Sequence, residues 1–181
     1  LTSGGDTVVL ATTAGTLSNV TDNGDGTYSA TLTSSTTAET ATITGTLDGT
    51  DITDSASVEF VPGDASAATS TITATPSSIT ADGVSNTTIT VQAKDANGNN
   101  LTTGGDTIAL SSNAGTLSNF ADNGDGTYTA LLTSSTVKGT ATVSGTLNTA
   151  SITDSASVAF VAGPATAANT TITASPSPIT A

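Results

Sequence analysis

Asp122-Asn-Gly-Asp-Gly-Thr-Tyr128-Thr-Ala-Leu-Leu132 is a turn followed by a strand. Asn123-Gly124 and Asp125-Gly126 are residue pairs that tolerate positive φ at little cost, so the chain can reverse there. After them Tyr128, Ala130 and Leu132 alternate with Thr127, Thr129 and Leu131. That period of two predicts a strand with one buried face. Asp22-Asn-Gly-Asp-Gly-Thr-Tyr28-Ser-Ala-Thr-Leu32 is nearly the same text 100 residues earlier. Leu1–Ala81 aligns with Leu101–Ala181 at that offset without a gap, and about two thirds of the positions are identical. The chain therefore reads as a tandem array. Tyr28 and Tyr128 are the only two tyrosines. Each is expected in the core with its hydroxyl bonded near the turn, as a tyrosine corner pins a sandwich.

No segment carries a helical period. Short alternating strands punctuated by Gly, Pro and Asp-Asn-Gly predict an all-β fold of tandem immunoglobulin-like sandwiches with a 100-residue repeat. Residues 1–63 read as a repeat lacking its first strands. Residues 64–163 read as a complete one of seven or eight strands, and 164–181 as the first strand of a third. The expected strands of the complete repeat begin with Thr71–Ala74, where Pro76 ends the run, then Ile79–Ala81 and Thr87–Lys94. Ile89, Val91 and Ala93 are expected inward and Gln92 wet. The later ones are Thr107–Leu110, Gly115–Phe120, Gly126–Thr133, Thr140–Leu147 and Ile152–Val161. The join Asp64–Ala68 is too short for a floppy linker, which predicts limited bending between repeats. Donation of Pro164–Ala181 from a neighbouring chain supplies only one of the strands missing from the first repeat. A longer parent chain is the favoured expectation.

Composition excludes several functions. Fifteen acidic residues against Lys94 and Lys138 give a net charge of −13, with no Arg. Such a surface does not bind nucleic acid or anionic lipid. The chain has no His and no Cys, and no nucleophile motif stands beside an acid or base, so it does not read as an enzyme. No apolar run approaches a membrane span, so no direct membrane insertion is expected. Lack of cysteine suits a bacterial exported protein better than a disulfide-stapled one. The few aromatics occupy expected core positions, which argues against a ligand-binding surface.

Thr71-Ile-Thr-Ala-Thr-Pro-Ser-Ser-Ile-Thr-Ala-Asp-Gly83, Thr88-Ile-Thr-Val-Gln-Ala-Lys-Asp-Ala-Asn-Gly-Asn99, the Asp122–Tyr128 element and Gly139-Thr-Ala-Thr-Val143 together resemble the bacterial Ig-like repeats of the invasin and intimin families. The Asp-Asn-Gly-Asp-Gly-Thr-Tyr element is also similar to filamin-type repeats. The resemblance covers the whole chain. It implies extracellular domains on the bacterial cell surface that hold a binding tip away from the outer membrane, and it carries over no binding residue. The expected function is a stalk or spacer in a cell-surface adhesin. The alternatives are a protomer of an extracellular filament built through exposed edges, and a ligand-binding Ig-like module. Expected partners are neighbouring repeats and, in the filament reading, other copies of the chain.

Calcium is the candidate cofactor. Asp95, Asn97 and Asn99 match the first three ligand positions of a calcium loop, but Asn100 stands where glycine is wanted and no glutamate follows. A hairpin turn explains the same residues. Asp64 and Asp82 are further candidate ligands at a repeat junction, joined by Asp106 or Asp154. Asp54 and Asp154 fall on the inward face of an alternating run, which calls for a bulge or for backbone amides bonded to the carboxylate. Lys94 reads as a solvated lysine, not an isopeptide donor. Asn19, Asn86, Asn100 and Asn169 fit the glycosylation triplet, which a bacterial chain does not ordinarily use.

Overall fold

The structure is a computed structural model, and it describes residues 2–175. The N-terminal part holds β1 (Val8–Thr12), β2 (Thr16–Leu17), β3 (Thr21–Asp22), β4 (Tyr28–Ser29), β5 (Leu32–Thr33), β6 (Thr40–Leu47), β7 (Thr50–Asp51) and β8 (Ala56–Glu59). β6 pairs with β1, β7 and β8, while β2–β5 and β3–β4 form two short ladders.

The following residues hold β9 (Thr71–Thr75), β10 (Ser78–Thr80), β11 (Asn86–Gln92), β12 (Ile108–Ser112), β13 (Thr116–Asp122), β14 (Thr127–Thr133), β15 (Gly139–Leu147), β16 (Ala150–Ser151) and β17 (Ala156–Val161). They make two sheets. One runs β13-β14-β11-β9, the other β10-β17-β15-β12, with β16 against β15. The chain switches sheets at Pro76: β9 pairs antiparallel with β11, and β10 pairs parallel with β17. Proline supplies no ladder donor, so it suits the crossing point.

Between the sheets lies one core. Ile72, Ile89, Val91, Tyr128 and Leu132 of the first sheet meet Val143, Leu147, Val158 and Phe160 of the second. Full burial of each aliphatic chain contributes about 1.5–3 kcal/mol. The alternation on β11 and β14 is complete, with Ile89, Val91 and Leu132 at 0 % exposure.

The N-terminal part repeats the same ladder. Val8 faces Leu47 as Ile108 faces Leu147. Its core is open, however. Among the described residues no strand stands where β11 flanks β14, so the β14 sequence divides into β4 and β5. Leu47, Ile52 and Val58 are about 40 % exposed where Leu147, Ile152 and Val158 are buried. Residues 171–175, in the stretch expected to open a further repeat, form no strand, and the rest of that expected strand, residues 176–181, lies outside the described residues. No helix among the described residues is long and apolar enough to cross a membrane.

Four expectations need correction. The run Ile152–Val161 is not one strand: it breaks at Asp154, whose carboxylate accepts the Ile72 N–H at 2.9 Å and the Ser155 N–H at 2.8 Å. The Tyr128 hydroxyl does not bond at the Asn123–Gly126 turn. It accepts the Asp106 N–H at 2.9 Å, from the loop that precedes β12. Gln92 is not simply wet, since its side-chain amide donates to the carbonyls of Ala93, Leu101 and Gly126. Phe120 leaves the core. Between Ser118 and Ala121 the β13–β14 register shifts, Asn119 takes φ 53°, and Phe120 is 57 % exposed. An extra residue in one strand turns its side chains off the alternating faces.

The Asp122 turn is anchored from both sides. Its carboxylate accepts the N–H groups of Gly124 and Gly105, each at 2.8 Å. A Cβ on Gly104 would overlap the Asp122 carboxyl, which is why small residues hold this corner. Asp125 is pulled below the ordinary carboxylate range, first by the Thr127 hydroxyl and then by the Thr127 amide.

Candidate functional site: the joint around Asp95 and Asn99

β11 ends at Gln92, and the chain then turns through Asp95-Ala-Asn-Gly-Asn99. Asp95 organises the turn. One carboxylate oxygen accepts the N–H groups of Asn97 and Asn99, each at 2.9 Å, and the Gly98 N–H closes on the Asp95 carbonyl at 3.0 Å. Gly98 sits at φ +87°, where a side chain would be strained. The other carboxylate oxygen reaches back across the joint. It accepts the Gly63 N–H at 3.0 Å and the Asn99 Nδ2–H at 2.8 Å.

Asn99 completes the crossing. Its Nδ2 also donates to the Thr36 carbonyl at 2.8 Å, and its Oδ1 accepts the Ala38 N–H at 3.0 Å. A carbonyl only accepts and an amide N–H only donates, so both halves of the side-chain amide are specified. The receiving loop is itself fixed: Ser35 Oγ donates to the Thr37 carbonyl and accepts the Thr37 N–H.

The short join is sewn to the same place. Ser66 N–H donates to the Lys94 carbonyl at 2.7 Å, Thr69 Oγ1 to the Asp95 carbonyl at 2.6 Å, and Lys94 N–H to Ser70 Oγ at 3.0 Å. Ala65 and Asp95 form an antiparallel bridge. Asp95 is 3 % exposed and fully bonded, so burial costs it little. Its pKa is held down at about 2, first by the Asn99 side-chain bond, with the Gly63, Asn99 and Asn97 amides adding and burial opposing.

The candidate calcium ligands separate. Asp82 precedes β11 and Asp95 follows it, so seven residues of strand, roughly 23 Å, lie between them. Asp82 caps its own turn, accepting the Val84 and Ser85 N–H groups and the Ser85 and Ser134 hydroxyls. These amides, Ser85 first, hold it at about 2. Asn97 is exposed and contributes only its N–H to Asp95. Asp64 is exposed beside Gly63 in the join. Among the described residues only Asp95 and Asn99 of these candidates meet side chain to side chain, with Asn99 Nδ2 donating to Asp95 Oδ2. Among the described residues no three carboxylates gather at one place.

Sequence reading saw Asp95–Asn99 as a turn and missed its reach. Thr36 and Ala38 enter through their backbones, which leave no mark on residue type. A concavity of about 280 Å³ lies between the edges of β12 and β13, lined by Asp106, Ile108, Leu110, Phe120, Asp122 and Tyr128.

The two-sheet architecture, with a strand that crosses sheets and pairs parallel with the last strand, is that of an immunoglobulin-like sandwich. The family model for invasin, domain 3, matches residues 1–63 and 66–163. The chain belongs to that family, whose Ig-like domains build bacterial cell-surface adhesins. It is similar to Yersinia pseudotuberculosis InvD at 30 % identity over 93 % of this chain and 51 % of that one, TM-score 0.60. It is similar to the Escherichia coli adhesin FdeC at 31 % identity over 91 % of this chain and 55 % of that one, TM-score 0.63. It is also similar to invasin, a bacterial integrin-binding protein, at 31 % identity over 87 % of this chain and 32 % of that one, TM-score 0.52. The chain thus spans about half or less of these relatives' length.

Proposed function

We propose that these repeats form a stalk that spaces a binding tip from the bacterial surface, with residues 1–63 a repeat lacking its first strands, 64–163 a complete repeat and 164–181 the opening of a following one. The observation that carries this is the joint. Asp95 and Asn99 bond the backbone of the preceding repeat at Gly63, Thr36 and Ala38, while Ala65 and Ser66 of the join pair with Asp95 and Lys94. A connection that only tethered its neighbours would need none of these bonds. The work is mechanical and needs no catalytic group. The complete repeat buries its own core, length grows with copy number, and the acidic surface keeps long copies apart.

Spin labels at Ser57 and Ser157, both exposed, test the reading. A narrow distance distribution in the parent chain that broadens in Asn99→Ala is the expected result. A distribution already broad in the parent would sink the stalk reading. Exposed Phe120 beside a cleft lined by Ile108, Leu110 and Tyr128 together with the Asp106 and Asp122 carboxylates supports a second reading, a ligand-binding module. Glycan and peptide arrays probed with the parent chain and Phe120→Ser check it, and a signal lost in the variant would establish it.

A further inference from the structure

The end of the β9–β17 sandwich repeats the surface that Asn99 recognises. Thr136, Val137, Lys138 and Gly163 stand 100 positions after Thr36, Thr37, Ala38 and Gly63. Two internal bonds of the loop recur: Ser135 Oγ donates to the Val137 carbonyl at 2.9 Å and accepts the Val137 N–H at 3.3 Å, while the Ser35–Glu39 bond of the first loop is lost with Gly139. Gly139 pairs with Phe160 as Glu39 does with Phe60, so the loop leaves its strand at the same point. Among the described residues nothing bonds the Thr136 carbonyl, the Lys138 N–H or the Gly163 N–H. Residues 136–140 are exposed.

The substitutions between the two surfaces favour an acidic partner. Glu39 and Glu59, which border the occupied joint, are replaced by Gly139 and Ala159, and Ala38 is replaced by Lys138. Two negative charges are gone and one positive charge is gained.

We propose that Thr136–Lys138 and Gly163 form a docking surface for the Asp-x-Asn-Gly-Asn loop of a further Ig-like repeat joined in line after Gly163. The Asn side chain of that loop would bond the Thr136 carbonyl and the Lys138 N–H, its Asp would take the Gly163 N–H, and the Lys138 ammonium would face the acidic loop. The proposal rests on the stalk reading and extends it to a second joint with the same geometry.

The test uses the chain through Gly163 followed directly by a second copy of residues 64–163. Labels at Ser57 and Ser157 report the first joint; labels at Ser157 and its appended counterpart report the second. Equal widths are expected. Asn99→Asp in the appended copy keeps the loop's size, removes the Nδ2 donor, and should broaden the second distribution while leaving the first unchanged. Lys138→Glu should also broaden only the second. A second joint broad from the start, or unmoved by either variant while Asn99→Asp in the resident copy broadens the first, would overturn the proposal and leave the stalk reading standing. If the resident Asn99→Asp leaves the first joint unmoved as well, both fail.

Discussion

Asp154 Oδ2 accepts the Ile72 N–H at 2.9 Å and so ties the turn before β17 to β9, the first strand of the opposite sheet. This is how a carboxylate that alternation puts on the inward side is accommodated. Its counterpart Asp54 bonds only the adjacent Ser55 N–H among the described residues.

The pair gives a controlled prediction. Asp154→Ala strands the Ile72 N–H and is expected to cost about 1–2 kcal/mol. Asp54→Ala should be close to neutral. Urea unfolding of the two variants beside the parent measures the difference, and equal losses would contradict the assigned bond.

Tyr128 carries two separable contributions. Tyr128→Ala empties a core site that is 5 % exposed and should cost about 3–5 kcal/mol. Tyr128→Phe keeps the ring but removes the acceptor of the Asp106 N–H, a loss of about 1 kcal/mol. Burial also raises the hydroxyl's pKa above the ordinary phenol value. Tyr28→Ala should cost less than Tyr128→Ala, because Tyr28 is only half-buried. Thermal melts of the three variants check the order.

Acid should weaken the Asp95 joint and the Asp82 turn over a defined window. Asp82 and Asp95 are held at about 2 in the folded chain, below the ordinary value of 3.8. A depressed folded pKa contributes stability that is fully present above the unfolded value and is lost as pH falls through the folded one. Stability is therefore expected to be flat from neutral pH to about 4 and to fall between about 4 and 2. Asp95→Asn should flatten part of that fall. Melting temperatures across the window, with the Ser57–Ser157 distance at each end, read both effects.

Calcium is not expected to stabilise the chain. Asp95 already accepts four N–H bonds and Asp82 is filled by amides and hydroxyls, so a cation at either must first break them. Melts in excess calcium and in chelator should overlay. A rise in melting temperature with calcium that Asp95→Ala abolishes would reverse this.

Much of the fold was legible residue by residue. The alternation Thr87–Ala93 and Thr127–Thr133 placed Ile89, Val91, Tyr128 and Leu132 inward, because a strand's period of two is a local property. Pro76 ended its strand for an equally local reason, the missing N–H. The Asp-Asn-Gly-Asp-Gly turns followed from residue type alone.

What the tertiary structure alone decided are the places where a side chain bonds backbone distant in sequence. Asn99 meets Thr36 and Ala38, Asp154 meets Ile72, and Gln92 meets the Leu101 and Gly126 carbonyls. Backbone groups are the same at every residue, so no sequence pattern announces which one will be the partner. Phe120 shows the same limit: its composition says core, but a bulge whose cause lies in the pairing of β13 with β14 turns it outward. The core followed from the pattern of residue types along each strand. The joint followed from which loops the two sheets bring within hydrogen-bonding distance, and that is settled only when the strands are paired.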